Sequence, residues 1–190
     1  MRVFNIIPAK HLQISAIENN GNSTQSVTMT AAIEMPRDKA CFVAGTLVHT
    51  KEGLKPIEDI CVGDWVLSYP ENEDTPSHIR MEQEYFYKQV TKTFIYDDKP
   101  IVHITYVQPG GEKVASPLRV TPDHPFYVSK VGWVPCGELR FGSTLEAANF
   151  GNLLVTKVKQ TGESARVYNI EVDEYHTYYV EKLGVWVHNK

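Results

Sequence analysis

The chain has 190 residues, 42% of them apolar, and a formal net charge of -4 at pH 7. That length can bury a real core, and the charge leaves no basic footprint, so nucleic acid is not an expected partner. No run approaches the roughly 18 apolar residues of a membrane span, and the opening MRVFNIIPAKHLQ lacks the apolar stretch and small-residue cleavage site of a signal peptide.

Residues 18–30, ENNGNSTQSVTMT, are polar and start without helical or strand periodicity. Residues 1–40 therefore read as a partly irregular flank. From Cys41 the texture changes: GTLVHT is a β-prone run followed by a turn at Lys51-Glu52-Gly53, and DWVLSY (64–69) is the next strand. The polar stretch PENEDTPSHIRMEQE reads as a loop with at most a helical turn. KQVTKTFIY and PIVHITYV flank Asp97-Asp98-Lys99 as a hairpin, and Pro109-Gly110-Gly111 makes the next turn. PLRVT, PFYVS, GWVPC, NLLVTKVKQ, RVYNIEV, HTYYVE and VWVH complete a series of short strands separated by Gly, Pro and Asp turns. Many short strands at close spacing predict an all-β fold. Neither an internal repeat nor a long amphipathic helix stands out.

Three cysteines, Cys41, Cys61 and Cys136, lie far apart with no C-x-x-C. They are too few for a disulfide framework and wrongly spaced for zinc, so no metal and no cofactor is expected. Cys61 and Cys136 read as buried structural thiols. A Cys61–Cys136 bridge, or a disulfide that silences Cys41, is the alternative in an oxidising setting, and it needs Cα atoms within about 7 Å.

Four places can carry chemistry. Cys41 stands before a Gly-containing turn, where its thiol can attack the carbonyl of Ala40 and turn that amide into a thioester; the plain alternative is a packed cysteine at a strand entry. Thr121-Pro122-Asp123-His124 sets a hydroxyl and an imidazole three residues apart across a turn. The His can pass a proton to a departing amide nitrogen, and the Thr hydroxyl or a loop N–H can steady an oxyanion. His176 lies in a β-rich stretch with Asn169, Asp173 and Glu174 near it in sequence. Finally, GVWVHNK ends a strand on His188-Asn189 with Lys190 beyond. An Asn side-chain amide can attack its own backbone carbonyl, closing a succinimide and breaking the chain after itself, with orientation supplying much of the rate. His188 is adjacent to protonate the leaving amine, and His176 is a second candidate.

In this order the pieces resemble the Hint superfamily, the horseshoe-shaped all-β self-processing domain shared by inteins, bacterial intein-like domains and hedgehog autoprocessing domains. CFVAGTLVHTKEGLKPIEDICVGDWVLSY looks like its opening block, with Ile60, Gly63, Asp64 and Val66 in an IxxGDxVLS element. TPDHPFYV looks like its Thr/His block and VYNIEVDEYHTYYVEKLGVWVHN like its closing blocks. The ending GVWVHN is most similar to the pretoxin-type Hint domains of bacterial polymorphic toxins.

The resemblance covers 41–189 and implies a flank at 1–40, a Hint domain at 41–189 and Lys190 as the first residue of a downstream flank. It implies that Cys41 makes the amino-terminal thioester with help from Thr121 and His124, and that Asn189 cyclises with help from His188 and His176. The Ala40–Cys41 and Asn189–Lys190 bonds would then be the scissile bonds. Two positions depart from the family pattern. Asn169 stands where many inteins carry an Asp that couples the steps, with Asp173 as a distant substitute. Lys190 stands where splicing inteins place Cys, Ser or Thr, so cleavage is expected rather than splicing. The expected activity is single-turnover and acts in cis, on a monomer whose partners are its covalently attached flanks, with no nucleic acid or membrane. A secreted or cell-surface bacterial toxin precursor, with a toxin as cargo, is the setting the resemblance implies. An inert Hint-fold spacer or interaction module is the alternative, and a cysteine hydrolase acting in trans through Cys41 and His124 ranks last.

Overall fold

The structure, a computed structural model, describes residues 40–70, 86–111, 117–148 and 151–189, all within the compact unit Asp38–Lys190. The loop expected at 70–84 and the flank expected at 1–40 lie almost wholly outside them.

Among the described residues, twelve strands form one sheet: β1 (Phe42–Val43), β2 (Leu47–Thr50), β3 (Gly53–Pro56), β4 (Trp65–Leu67), β5 (Tyr87–Val107), β6 (Leu118–Val120), β7 (Pro125–Val128), β8 (Gly132–Pro135), β9 (Thr144–Ala147), β10 (Gly151–Val172), β11 (Thr177–Val180) and β12 (Val185–His188). The neighbour order is β10-β1-β6-β5-β4-β2-β11-β12-β9-β7-β8, with β3 on β2 and further pairings β10–β5, β10–β9 and β12–β7. The described residues are thus all-β, as their alternation and turn residues predict. The strands β1, β3 and β9 escape the sequence reading: β1 has only two residues, GLKP (β3) lacks the β-branched and aromatic residues that mark the other short strands, and TLEA (β9) has only Thr144 of that kind.

Two expectations are corrected. The segments 88–96 and 100–107 do not turn back on each other at 97–99; they are one 21-residue strand, β5. Likewise 152–160 and 166–172 belong to one 22-residue strand, β10, which pairs antiparallel with β5 along its length. The Asp-Asp-Lys signal marks a bulge. The register breaks between Ala165 and Val167 and between Gln160 and Ser164, where Asp98 (φ 53) and Gly162 (φ 72) take left-handed conformations that bend a strand without reversing it.

The chain also holds an internal repeat. In sequence, 47–68 and 126–147 share Lys51/Lys130, Gly53/Gly132, Pro56/Pro135 and Gly63/Gly142 at equal spacing, but the β7–β8 turn is one residue longer than the β2–β3 turn, so ahead of the turn β2 (47–50) matches β7 at 125–128. The two segments fold alike. Each has a hairpin (β2–β3, β7–β8), a 3₁₀ turn (Ile57–Asp59, Cys136–Glu138) behind a proline with φ -57 and ψ 141, and a short strand (β4, β9). The Gly63 N–H donates to Val90 O at 2.8 Å and the Gly142 N–H to Val155 O at 2.9 Å, so the long strands are equivalent too. Four identities in 22 positions are too few to see before the backbone shows which positions to compare. Gly53 and Gly132 are constrained by geometry, with φ of 114 and 100, a region that side chains rarely enter.

The core runs under both halves and includes Phe42, Ile104, Phe126, Leu145, Leu153, Tyr178 and Val187. A second cluster gathers Leu67, Tyr179 and Trp186 with Tyr69, Phe86, Tyr127 and Trp133 packed against it. Cys136 is buried and its thiol is pushed up to about 12 by desolvation. Cys61, expected to be buried, is exposed instead: it opens the turn after the first 3₁₀ segment, its N–H bonded to the Asp64 carboxylate at 2.9 Å. None of the three cysteines is in a disulfide.

Candidate functional site

The site grows from β1, which lies between β6 and β10 with Phe42 opposite both Val120 and Tyr168. That pairing brings the end of β6 to Cys41. The Thr121 N–H donates to the Cys41 carbonyl at 2.9 Å, and the Thr121 hydroxyl oxygen accepts the Cys41 N–H at 2.9 Å. The same hydroxyl lies 3.3 Å from the Cys41 carbonyl, to which it donates. Ala40 and Cys41 are both buried, so the peptide bond between them sits away from solvent. The hydroxyl of Thr121 engages the nitrogen of that bond.

The turn after β6 is closed by the His124 N–H donating to Thr121 O at 3.2 Å. It is the repeat partner of Val43-Ala44-Gly45-Thr46, closed by Thr46 N–H to Val43 O at 3.3 Å. The repeat therefore aligns Thr121 with Val43 and His124 with Thr46: the imidazole stands in one copy, and in the other a hydroxyl that donates to Val43 O at 2.9 Å. The His124 ring is fully buried, 4.1 Å from the Phe42 ring, and also faces Phe126 and Tyr178. Among the described residues neither ring nitrogen has a hydrogen-bond partner. Desolvation, and then the nearby charge of His188, hold its pKa well below the ordinary imidazole value, so His124 is neutral at pH 7.

The carboxy-terminal strand reaches the same place. β12 pairs antiparallel with β7 with Val187 opposite Phe126, so His188 and Asn189 run on towards Pro125 and His124. His188 is buried with its ring edge-on to Trp133 at 5.1 Å. The Asn189 N–H donates to His176 O at 2.9 Å. With its amide assigned by its hydrogen bonds, Asn189 Nδ2 donates to the same oxygen at 2.7 Å and Oδ1 accepts the Val172 N–H at 2.6 Å. His176 is left-handed (φ 55) and its side chain is exposed, so the contact with Asn189 is made by its backbone.

Asn169 is buried, and its Oδ1 accepts the Tyr178 hydroxyl at 3.0 Å. Asp173 lies beyond the end of β10, exposed, its N–H donating to Gln89 O at 3.0 Å; it does not join Asn169. Sequence reasoning missed Tyr178. It is fully buried, edge-on to both Phe42 and His124, and its phenol is held well above the ordinary range by burial and then by the charge that Cys41 can carry. All four residues of β11 are buried, so no alternation singles Tyr178 out. Among the described residues no group of three or more His, Cys, Asp or Glu could hold a metal.

A model of the pretoxin HINT domain matches residues 47–190. The chain belongs to the pretoxin Hint family. This pretoxin Hint domain is similar to a bacterial intein-like domain from Clostridium thermocellum, with 36% identity and a TM-score of 0.61 over 78% of this chain and 98% of that one. Its fold is also that of the gp41-1 intein (23% identity, TM-score 0.59, 79% and 98% covered). A DnaB intein from Synechocystis sp. PCC 6803 matches similarly (14%, 0.61, 80% and 99%). The all-β Hint fold expected from the sequence is thus the fold found. No curated protein sequence matches this chain.

Proposed function

We propose that this Hint domain cuts its own precursor once at each end of the segment 41–189 and releases the polypeptide downstream of Asn189. Domains of this family and its intein neighbours sit within precursors flanked by other polypeptide, and a carboxy-terminal toxin is the cargo that kinship with pretoxin domains suggests. The observation that carries the reading is convergence. Cys41 is bonded through its amide to Thr121, His124 is three residues on, and the strand ending in Asn189 runs alongside β7 towards them.

In the first step Cys41 Sγ bonds to the Ala40 carbonyl carbon while the C–N bond breaks. Neutral His124 accepts the thiol proton and returns it to the leaving nitrogen, and the Thr121 hydroxyl, already on that nitrogen, steadies it as it pyramidalises. In the second step Asn189 Nδ2 bonds to its own carbonyl carbon and the bond to Lys190 breaks, with His188 and residue 176 assisting. Lys190 offers no hydroxyl or thiol to receive an acyl group, so the amino-terminal thioester is released by water or an external thiol and the outcome is cleavage.

The test is intact mass spectrometry of a precursor carrying a reporter after Lys190, incubated with and without thiol. A reporter beginning at Lys190, and a partner fragment one water lighter than its hydrolysis product, are expected. Cys41→Ala should stop thiol-dependent amino-terminal cleavage and Asn189→Ala the carboxy-terminal one. Continued cleavage before Lys190 in Asn189→Ala would overturn the cyclisation, and an unchanged precursor mass would leave the inert-module reading.

A further inference from the structure

We propose that residue 176 serves the carboxy-terminal cleavage through its backbone and not through its imidazole. The turn Val172–His176 is an amide clamp that selects and activates the Asn189 side chain. The inference rests on the reading of Asn189 as the cyclising residue.

The clamp has two jaws. His176 O accepts from both the backbone N–H and Nδ2 of Asn189, at 2.9 and 2.7 Å, and the Val172 N–H donates to Oδ1 at 2.6 Å. An acceptor on the amide N–H and a donor on the amide oxygen work together: both make Nδ2 more acidic and favour the imidate that forms as it loses a proton, which is the better nucleophile. The arrangement also reads chemistry. An Asp at 189 would set a carboxylate oxygen against His176 O, where no donor exists, leaving two acceptors face to face.

The turn is built to hold that carbonyl in place. Glu174 and His176 are both left-handed, with φ of 56 and 55. The Tyr175 N–H closes onto Asp173 O at 2.6 Å and the Asp173 N–H ties the turn to Gln89 O at 3.0 Å. The His176 ring, by contrast, is exposed and lies within electrostatic reach of Glu171. In the ring closure the Nδ2–C bond forms and the C–N bond to Lys190 breaks. One of the two Nδ2 protons passes to the neighbouring imidazole of His188, which gives a proton to the departing Lys190 nitrogen, so the step consumes no water.

The experiment uses the full chain and two readouts. Cleavage before Lys190 is timed in the parent and in His176→Asn, His176→Gly and His176→Val, with and without added imidazole. Side-chain amide hydrogen exchange at Asn189 is followed by NMR. Asn and Gly adopt the left-handed conformation readily and Val does so poorly. The expected result is His176→Asn and His176→Gly within about threefold of the parent rate and His176→Val slower by tenfold or more. Slow exchange of the Asn189 amide protons should persist in the first two variants and be lost in the third. Losses as large in His176→Asn and His176→Gly as in His176→Val, with recovery in imidazole, would assign the work to the ring and overturn the proposal. Fast exchange at Asn189 in a chain that cleaves would remove the clamp. A parent chain that never cleaves at Asn189 would remove the self-cleavage reading instead.

Discussion

Lowering the pH should destabilise this domain well above the carboxylate range, because it buries neutral imidazoles. His124 and His49 are both buried, and desolvation lowers both pKa values from the ordinary imidazole value. Once the chain unfolds, both rings recover the ordinary value. Between the folded and unfolded pKa the unfolded state binds more protons, so the stability is fully present above about pH 6.5 and declines as pH falls below it. His124, whose pKa lies well below the ordinary value, should therefore weaken the fold by about 1.4 kcal/mol for each pH unit below 6.5 over which its folded ring stays neutral. His49 should contribute less, since its bond to Glu181 O at 2.6 Å partly offsets its desolvation. Urea unfolding of a Cys41→Ala, Asn189→Ala background, blocked in the proposed cleavages, measures this across the pH range. His124→Phe, placed among Phe42, Phe126 and Tyr178, should flatten the decline by that amount, while every carboxylate contribution subtracts out. Parallel curves for the background and His124→Phe would show that His124 is not held neutral, and the proton path assigned to it would fall with that result.

Thr121→Val should slow amino-terminal cleavage about tenfold or more while costing the fold about 1 kcal/mol, and Thr121→Ser should restore the rate; thiol-induced cleavage and urea unfolding separate the two effects. Gly53→Ala and Gly132→Ala should each destabilise by about 1–3 kcal/mol, and by similar amounts, because neither meets a neighbour within 4 Å and both costs are conformational. Unequal losses would deny that the two hairpins are equivalent. In the native protein a thiol reagent should modify Cys61 and spare Cys136 until the chain unfolds; mass spectrometry of the labelled peptides decides it.

The sequence made the all-β class legible because short β-prone runs are separated by segments carrying Gly, Pro or Asp, and β12 stands in it as an unbroken Val185-Trp186-Val187-His188 run. It misled at Asp97-Asp98-Lys99, where turn residues serve a bulge within a long strand, and nothing local tells the two apart. Cys61 misled because composition alone favours burial of cysteine, while its place at the start of a turn depends on the Asp64 carboxylate. At the site, Cys41, Thr121, His124 and Asn189 stand out as candidates through their order along the chain, which resembles the Hint pattern, while each one's local spacing alone favours a plain structural residue. The backbone role of His176 could not be named, since a left-handed φ at a histidine leaves no mark in composition or periodicity. Tyr178 lay hidden for a different reason: β11 is buried on both faces.

The position of β12 has a consequence for timing. It is the last strand of the domain to leave the ribosome, yet it sits inside the sheet, between β11 on one side and β9 and β7 on the other. A nascent chain that has already made Cys41, Thr121 and His124 still lacks the strand that delivers His188 and Asn189. In the self-processing reading, completion of the sheet is therefore the clock. The cut at Asn189 cannot precede the folding of the domain that makes it, and a downstream cargo stays tethered until that domain is whole.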